Sequence, residues 1–199
     1  MKQENKIASN IEYRSFNVEL RSSNESEEDS YYIHGVPIVF NKATCLFEDS
    51  GVKYYEIIDS HALDDCIKDD VILNYNHSGR VLARMSNGTL KLQYNPNNVE
   101  IDAYLGGTDY GRSINEDIKG GYITKMSFAM EVADATYDPN THTRTITHIR
   151  RLYDVSVVDI PAYEDTSVSA RNYFGDKSDF FMAEDIEKLK RKIEIKTKI

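Results

Sequence analysis

The sequence predicts a mainly β fold, a mainly antiparallel β-barrel that is closed or nearly closed, with a few short helices outside it. The first observation is a succession of segments in which apolar and polar residues alternate with the period of two expected of strands. The second is that turn signals rich in Gly, Asn, Asp and Pro separate these segments at short intervals. Many short strands and little helical spacing favour a barrel over an α/β fold.

Composition narrows the class of protein. A chain of 199 residues, 40% of them hydrophobic, suits one domain with an appendage. Two cysteines without C-x-x-C spacing indicate a reducing compartment, and no apolar run has the length of a signal peptide or a membrane span. We therefore expect a soluble cytoplasmic protein. The net charge of -9 repels a phosphate backbone, which argues against a nucleic-acid ligand.

The first third of the chain is predicted to contain three strands followed by a short helix. The strands are expected at residues 11–20, 31–40 and 52–58. The second strand contains Gly and Pro, so we expect it at a sheet edge or with a bulge. The helix is expected at residues 61–68, after Asp59 or Ser60 as its cap.

Residues 71–77 form the fourth predicted strand, which ends in a histidine. Alternation places His77 on the same face as Val71, Leu73 and Tyr75, so it continues a buried face and emerges where the strand ends. The Ser-Gly-Arg sequence that follows turns the chain. A histidine in this position is available for chemistry or for a bond to a backbone carbonyl.

A hairpin, a strand and a helix are predicted next. Residues 81–94 read as two strands around an Asn-Gly turn, which supplies the positive φ angles of a tight hairpin. A strand is expected at 99–105. The helix is expected at 111–119, with Ser113 and Glu116 at the spacing of a capping box and a Gly-Gly stop after it.

The segment 120–132 is the predicted strand around which the rest of the chain is arranged. Alternation gives it one face of large side chains and an opposite face with a single hydroxyl, that of Ser127. Ala129 leaves space beside this hydroxyl. A rigid strand can present a nucleophile in this way, although most strand serines only fill space or form structural hydrogen bonds.

The last predicted strand carries a carboxylate where an apolar residue is expected. Residues 134–143 read as a loop, and 144–160 as one long strand or two strands joined at a bulge. Alternation puts His148 and Asp154 on one face of it. An Asp among apolar neighbours in a strand needs a partner, because burying an unpaired charge is costly.

The C-terminal residues 176–199 are predicted to be a charged helical appendage to a barrel domain formed by residues 1–175. Their apolar residues follow helical spacing, and their net charge is +1, whereas residues 1–175 carry -10.

Four motifs in order carry a family resemblance. They are NHSGRVLAR at 76–84, GTLKLQ at 88–93, GGYITKMSFAM at 120–130 and RRLYDVSVVDIPAY at 150–163. Together they resemble the prohead proteases of tailed phages, the capsid maturation proteases related to herpesvirus assemblin. The resemblance covers about residues 33–171 and implies an assemblin-like barrel.

The resemblance also implies a catalytic set: His77 as general base, Ser127 as nucleophile and Asp154 as third member. The chemistry agrees, because a serine hydroxyl becomes nucleophilic when an oriented imidazole removes its proton. Assemblin relatives use a second His as third member, so His148 is the alternative to Asp154. Many relatives have a Gly where this chain has Ala129, and the added methyl group of Ala is expected to narrow the site.

The implied function is that of a serine endopeptidase inside the immature procapsid, in the cytoplasm of the host or of a bacterium carrying a prophage. Its expected substrates are the major capsid protein, the scaffold protein and the protease itself. It is compatible with a homo-oligomer and needs neither a membrane nor nucleic acid. The alternative is a non-catalytic capsid-assembly or scaffolding factor with the same fold, and a nucleic-acid-binding barrel fits poorly with the net charge.

Other interpretations of the polar residues remain open at this point. Asp154 could pair with Arg150 or Arg151, and those arginines could hold an oxyanion or form surface ion pairs, of which we expect the second. An oxyanion hole built from backbone N–H groups is the more common arrangement. His142 and His148 have no metal-ligand spacing, so no metal or other cofactor is expected.

Overall fold

The fold was determined as a computed structural model that describes residues 11–16, 20–22, 31–159 and 173–175. The described residues form eleven strands and one helix of eleven residues. In chain order these are β1 Ile11–Phe16, β2 Leu20–Ser22, β3 Tyr32–Val39, β4 Thr44–Asp49, β5 Val52–Ile58, β6 Ile72–Tyr75, β7 Ser78–Arg84, β8 Leu90–Tyr94, β9 Asn98–Tyr104, α1 Asp109–Lys119, β10 Lys125–Asp138 and β11 Thr143–Val158. This helix is too short to span a membrane, and no other described helix could. The predicted appendage at 176–199 lies outside the described residues, so the division at residue 175 stays a prediction.

The strands form two sheets, which confirms the mainly β prediction. The larger sheet has seven strands in the order β1-β10-β11-β5-β4, with β6 and β7 joined to β11 through β6. The smaller has four, in the order β2-β3-β9-β8. Most strand pairings are antiparallel, as expected, but β5 and β6 both pair with β11 in parallel. They occupy the two ends of the same edge of β11, and the chain between them continues along that edge in the direction of β11.

The two sheets share one apolar core. Buried side chains of the small sheet, such as Ile33 and Ile101, belong to the same cluster as Phe128 and Val155 of the large sheet. Within the described residues, no pairing joins the first strand of either sheet to its last. The closed barrel therefore stays a prediction.

The helix predicted at 61–68 is absent, because the chain there forms consecutive tight turns. Ala62 and Cys66 each donate their N–H to the carbonyl three residues earlier, and Ile67 bridges to Arg151 of β11. Ile149 N–H donates to Ala62 O at 2.8 Å. Bonds to β11 thus replace the helical ones, which explains why local helical spacing gave the wrong answer.

The prediction of a hairpin at 81–94 was also wrong, although a turn is present at 85–88. Strand β7 pairs with β6, whereas β8 pairs with β9 in the other sheet. Of the turn residues, Gly88 has a positive φ of 77° but Asn87 does not. The type I′ turn expected of Asn-Gly needs both, and the turn observed here passes the chain from one sheet to the other.

The loop predicted at 134–143 is mostly strand. Strand β10 continues to Asp138 and β11 begins at Thr143, so the two form one long hairpin. Several register shifts between Ala129 and Ala135 mark bulges. These bulges break the alternation of β11, whose buried residues Ile146, Ile149 and Leu152 recur every third position.

The second predicted helix is confirmed as α1, with a different cap. Thr108 Oγ1 accepts a hydrogen bond from Gly111 N–H, so the helix begins at Asp109, two residues before its predicted start, and Ser113 lies inside it. Strand β4 was not predicted from the sequence. Leu46 is its only buried side chain, so its sequence shows little alternation.

Candidate active site

Strand register brings the polar residues of three strands onto one face of the large sheet. Ser127 of β10 lies opposite Ser156 of β11, and two residues further along Ala129 lies opposite Asp154. Directly opposed residues project to the same face, as do alternate residues of one strand. Ser127, Ser156 and Asp154 therefore share a face. Strand β1 continues this arrangement on the other side of β10, with Tyr13 opposite Ala129.

His77 reaches this face from a turn. Strand β6 runs beside residues 154–157 of β11, and the chain then reverses through Asn76 and His77 into β7. Both turn residues have positive φ, 51° and 53°, as a tight two-residue hairpin requires. The prediction that His77 continues the alternation of its strand was therefore wrong. It lies just beyond the strand, at the position where the turn directs its ring over Asp154.

The His77 ring contacts both other predicted site residues. Its Nδ1 lies 2.6 Å from Asp154 Oδ1, and its Nε2 lies 2.6 Å from Ser127 Oγ. The Tyr13 ring packs beside the imidazole, with 4.6 Å between centroids. The side chains of His77 and Asp154 are each 11% exposed, and Ser127 is fully buried. A carboxylate, an imidazole and a hydroxyl thus form one connected chain in a site of low water access.

The Ser127 hydroxyl has one proton and two acceptors within reach. Besides His77 Nε2, the backbone carbonyl of Arg14 lies 2.9 Å from Ser127 Oγ. With a neutral imidazole whose Nδ1–H faces Asp154, Nε2 can accept the proton. With a charged imidazolium, Nε2 donates to Oγ and the hydroxyl donates to Arg14 O. The carbonyl of Arg14 therefore holds the hydroxyl in place when histidine is protonated.

A family model described as caudovirus prohead serine protease matches residues 16–178. The chain belongs to this family. No curated protein matches it. Among solved structures it is similar to the bacteriophage T4 capsid assembly protease, gp21, at 13% identity and a TM-score of 0.44, over 74% of this chain and 98% of that chain.

Ser156 also belongs to the site of this prohead protease, although it was not among the predicted site residues. Its Oγ lies 2.9 Å from Asp154 Oδ1 and 3.1 Å from His77 Nδ1, and it accepts the backbone N–H of His77 at 3.1 Å. The available signal was its position two residues after Asp154 on the same face. A small polar residue at such a position is common in strands, so the signal was weak.

A buried ion network fixes strand β1 of the protease beside Ser127. Arg14 donates to the carboxylates of Glu56 and Glu12, and Arg144 pairs with the same two carboxylates. Burial alone would raise the pKa of Glu12, but the hydrogen bond from Arg144 and the charges of both arginines outweigh it and lower that pKa. The Arg144 guanidinium also lies over the Tyr173 ring, 4.1 Å from its centroid. Two positive and two negative groups thus balance inside the protein.

The remaining candidates lie outside the hydrogen-bonded site of this prohead protease. His148 is 41% exposed, and its Nδ1 lies 3.7 Å from Asp134. Six positions and several register shifts separate it from Asp154, and its ring pairs with Asp134 and not with His77. Arg150 pairs with Glu131 at the surface, in agreement with the ion-pair interpretation. His142 contacts the Tyr137 hydroxyl instead of a second histidine.

Proposed function

We propose that the chain is a serine endopeptidase in which Ser127 is the nucleophile, His77 the general base and Asp154 the residue that orients it. The observation that carries the proposal is the unbroken chain of contacts from Asp154 through His77 to Ser127, with 2.6 Å at each step. Membership of a family of serine proteases supports the same roles. The chain order His, Ser, Asp differs from those of the familiar serine hydrolases, which fits a separate fold.

In this mechanism His77 Nε2 takes the proton of Ser127 Oγ as Oγ bonds to the carbonyl carbon of the scissile peptide. Asp154 stabilises the imidazolium through Nδ1–H. His77 then donates its proton to the leaving amine as the C–N bond breaks, which leaves an acyl-enzyme and a free amino terminus. A water molecule, deprotonated by His77, hydrolyses the ester and regenerates Ser127. Because Ser127 is fully buried, side chains around it must move before a peptide carbonyl reaches Oγ.

The proposed substrates are the major capsid protein and the scaffold protein inside the immature procapsid, together with the protease itself. The family of prohead proteases supports this choice. The experiment is co-expression of the chain with the major capsid protein of its own phage, followed by amino-terminal sequencing of the capsid product. We expect a shortened capsid protein with one defined new terminus. A full-length capsid protein that still assembles would favour the alternative, a non-catalytic assembly factor.

Asp154→Asn is expected to preserve the fold and lower the cleavage rate by roughly 10² to 10⁴, because an amide favours the wrong imidazole tautomer. His148→Ala is the matched control, since His148 is exposed and paired with Asp134, and we expect it to change the rate little. The measurement is kcat for a capsid-derived peptide, with thermal unfolding as a check on the fold. The reverse pattern would transfer the role to His148.

We also propose that residues 1–175 form an assemblin-like barrel domain to which 176–199 is an appendage. The shared core of the two sheets supports a single domain. The anchoring of Phe174 supports the boundary, because this side chain is buried in a cluster with Leu46, flanked by Tyr54 and Tyr137. The charge difference between the two parts is consistent with an appendage that binds a separate partner surface.

A further inference from the structure

The fully buried hydroxyl of Ser156 contacts two other residues of the site, His77 and Asp154. A serine hydroxyl can donate one hydrogen bond and accept two. The Ser156 Oγ donates to Asp154 Oδ1 at 2.9 Å and accepts the backbone N–H of His77 at 3.1 Å. His77 Nδ1 lies a further 3.1 Å from it. The Ser156 hydroxyl therefore links His77 and Asp154 by hydrogen bonds, in addition to filling space.

The two hydrogen bonds of Ser156 restrain two different groups, the backbone turn at His77 and the carboxylate of Asp154. His77 lies in the left-handed region with φ of 53°, a conformation that residues other than glycine adopt infrequently. The bond from its N–H to Ser156 fixes this turn to β11. Asp154 Oδ1 receives both Ser156 Oγ–H and His77 Nδ1, so the carboxylate has little freedom to rotate.

We propose that Ser156 is a positioning residue that joins the His77 turn to the Asp154 carboxylate and so holds the imidazole over Ser127. This inference rests on the proposed function, because it assigns a role within the same site. Ser156 touches neither the substrate nor the reacting atoms in this scheme. It acts by keeping the imidazole of His77 in one orientation. The orientation of the base affects the rate of the chemical step more than it affects substrate binding.

Ser156→Val and Ser156→Thr form the matched pair that tests this role. The two replacements have the same shape and differ by the hydroxyl, so any strain from the added methyl group is common to both. We expect Ser156→Val to lower kcat roughly tenfold to a hundredfold with little change in KM, as for the loss of hydrogen bonds to charged groups. Ser156→Thr should recover most of that loss. Ser156→Ala provides the same comparison without added volume if both larger variants unfold.

A second readout separates this inference from the proposed function. Amide hydrogen exchange at His77, followed by NMR, reports the bond to Ser156 Oγ whether or not the chain cleaves anything. We expect faster exchange in Ser156→Val and Ser156→Ala than in Ser156→Thr and the unaltered chain. If the unaltered chain had no protease activity, the proposed function would be wrong. Hydrogen exchange at His77 would still test the role of Ser156. Equal kcat and equal His77 exchange with and without the hydroxyl would overturn the role of Ser156.

Discussion

Ser127→Ala and His77→Ala are each expected to lower kcat/KM for a capsid-derived peptide by roughly 10⁴- to 10⁶-fold. The physical reason is that the two side chains act as one unit: the hydroxyl is unreactive without the base, and the base has no function without the hydroxyl. The double variant should therefore lose little more than either single variant. The measurement is the rate of product formation by mass spectrometry, at enzyme concentrations high enough to detect residual turnover.

Ser113→Ala and His61→Ala are the controls for this pair. Ser113 is exposed on α1 and His61 is exposed on the turn that follows β5, so neither touches the site. Both should retain the rate of the unaltered chain within about a factor of two, since surface substitutions rarely shift stability by more than about 0.5 kcal/mol. If the losses of the two site variants multiplied in the double variant, Ser127 and His77 would act independently and the proposed dyad would be wrong.

Arg14→Met is expected to destabilise the protein by about 3 to 5 kcal/mol, because it leaves one uncompensated negative charge in a buried network. Arg14 is almost fully buried and bonds to both Glu12 and Glu56, so Met keeps the volume and removes the charge. Urea denaturation followed by circular dichroism measures the change. Arg150→Met is the control, since this exposed pair with Glu131 should contribute about 1 kcal/mol or less.

The double variant Arg14→Met, Glu56→Gln tests the reason for that loss. It removes one charge of each sign and leaves Glu12 paired with Arg144, so we expect it to regain part of the lost stability. A double variant that is no more stable than Arg14→Met alone would show that the hydrogen bonds of Arg14, and not charge balance, dominate. Because Arg14 also supplies the carbonyl beside Ser127, the single variant should lose activity together with stability.

The sequence allowed the three main site residues to be chosen, but not their contacts. The motifs around His77, Ser127 and Asp154 carry the family resemblance, and the structure brings these side chains within hydrogen-bond distance of one another. Ser156 could not be found in this way. Its role depends on the backbone of His77, 79 residues earlier, and no local pattern reports such a contact.

The same limit explains which parts of the fold were mispredicted. Alternation assigns residues to faces but does not say which strands are neighbours, so the parallel pairing of β5 and β6 with β11 was missed. The ion network between Arg14 and Glu56 depends on this order, since the two residues are 42 positions apart. Residues 61–68 have helical spacing but form turns that are hydrogen-bonded to β11, because these tertiary contacts outweigh the local propensity.

The most direct test of the account is reaction of the full chain with a serine-directed fluorophosphonate, followed by peptide mass spectrometry. Only a serine activated by a neighbouring base reacts readily with such a reagent. We expect one covalent adduct, on Ser127, in the unaltered chain and in Ser113→Ala, and a strongly reduced yield in His77→Ala. An active chain that carries no adduct, or carries it on a serine other than Ser127, would contradict the assignment of Ser127 as the nucleophile.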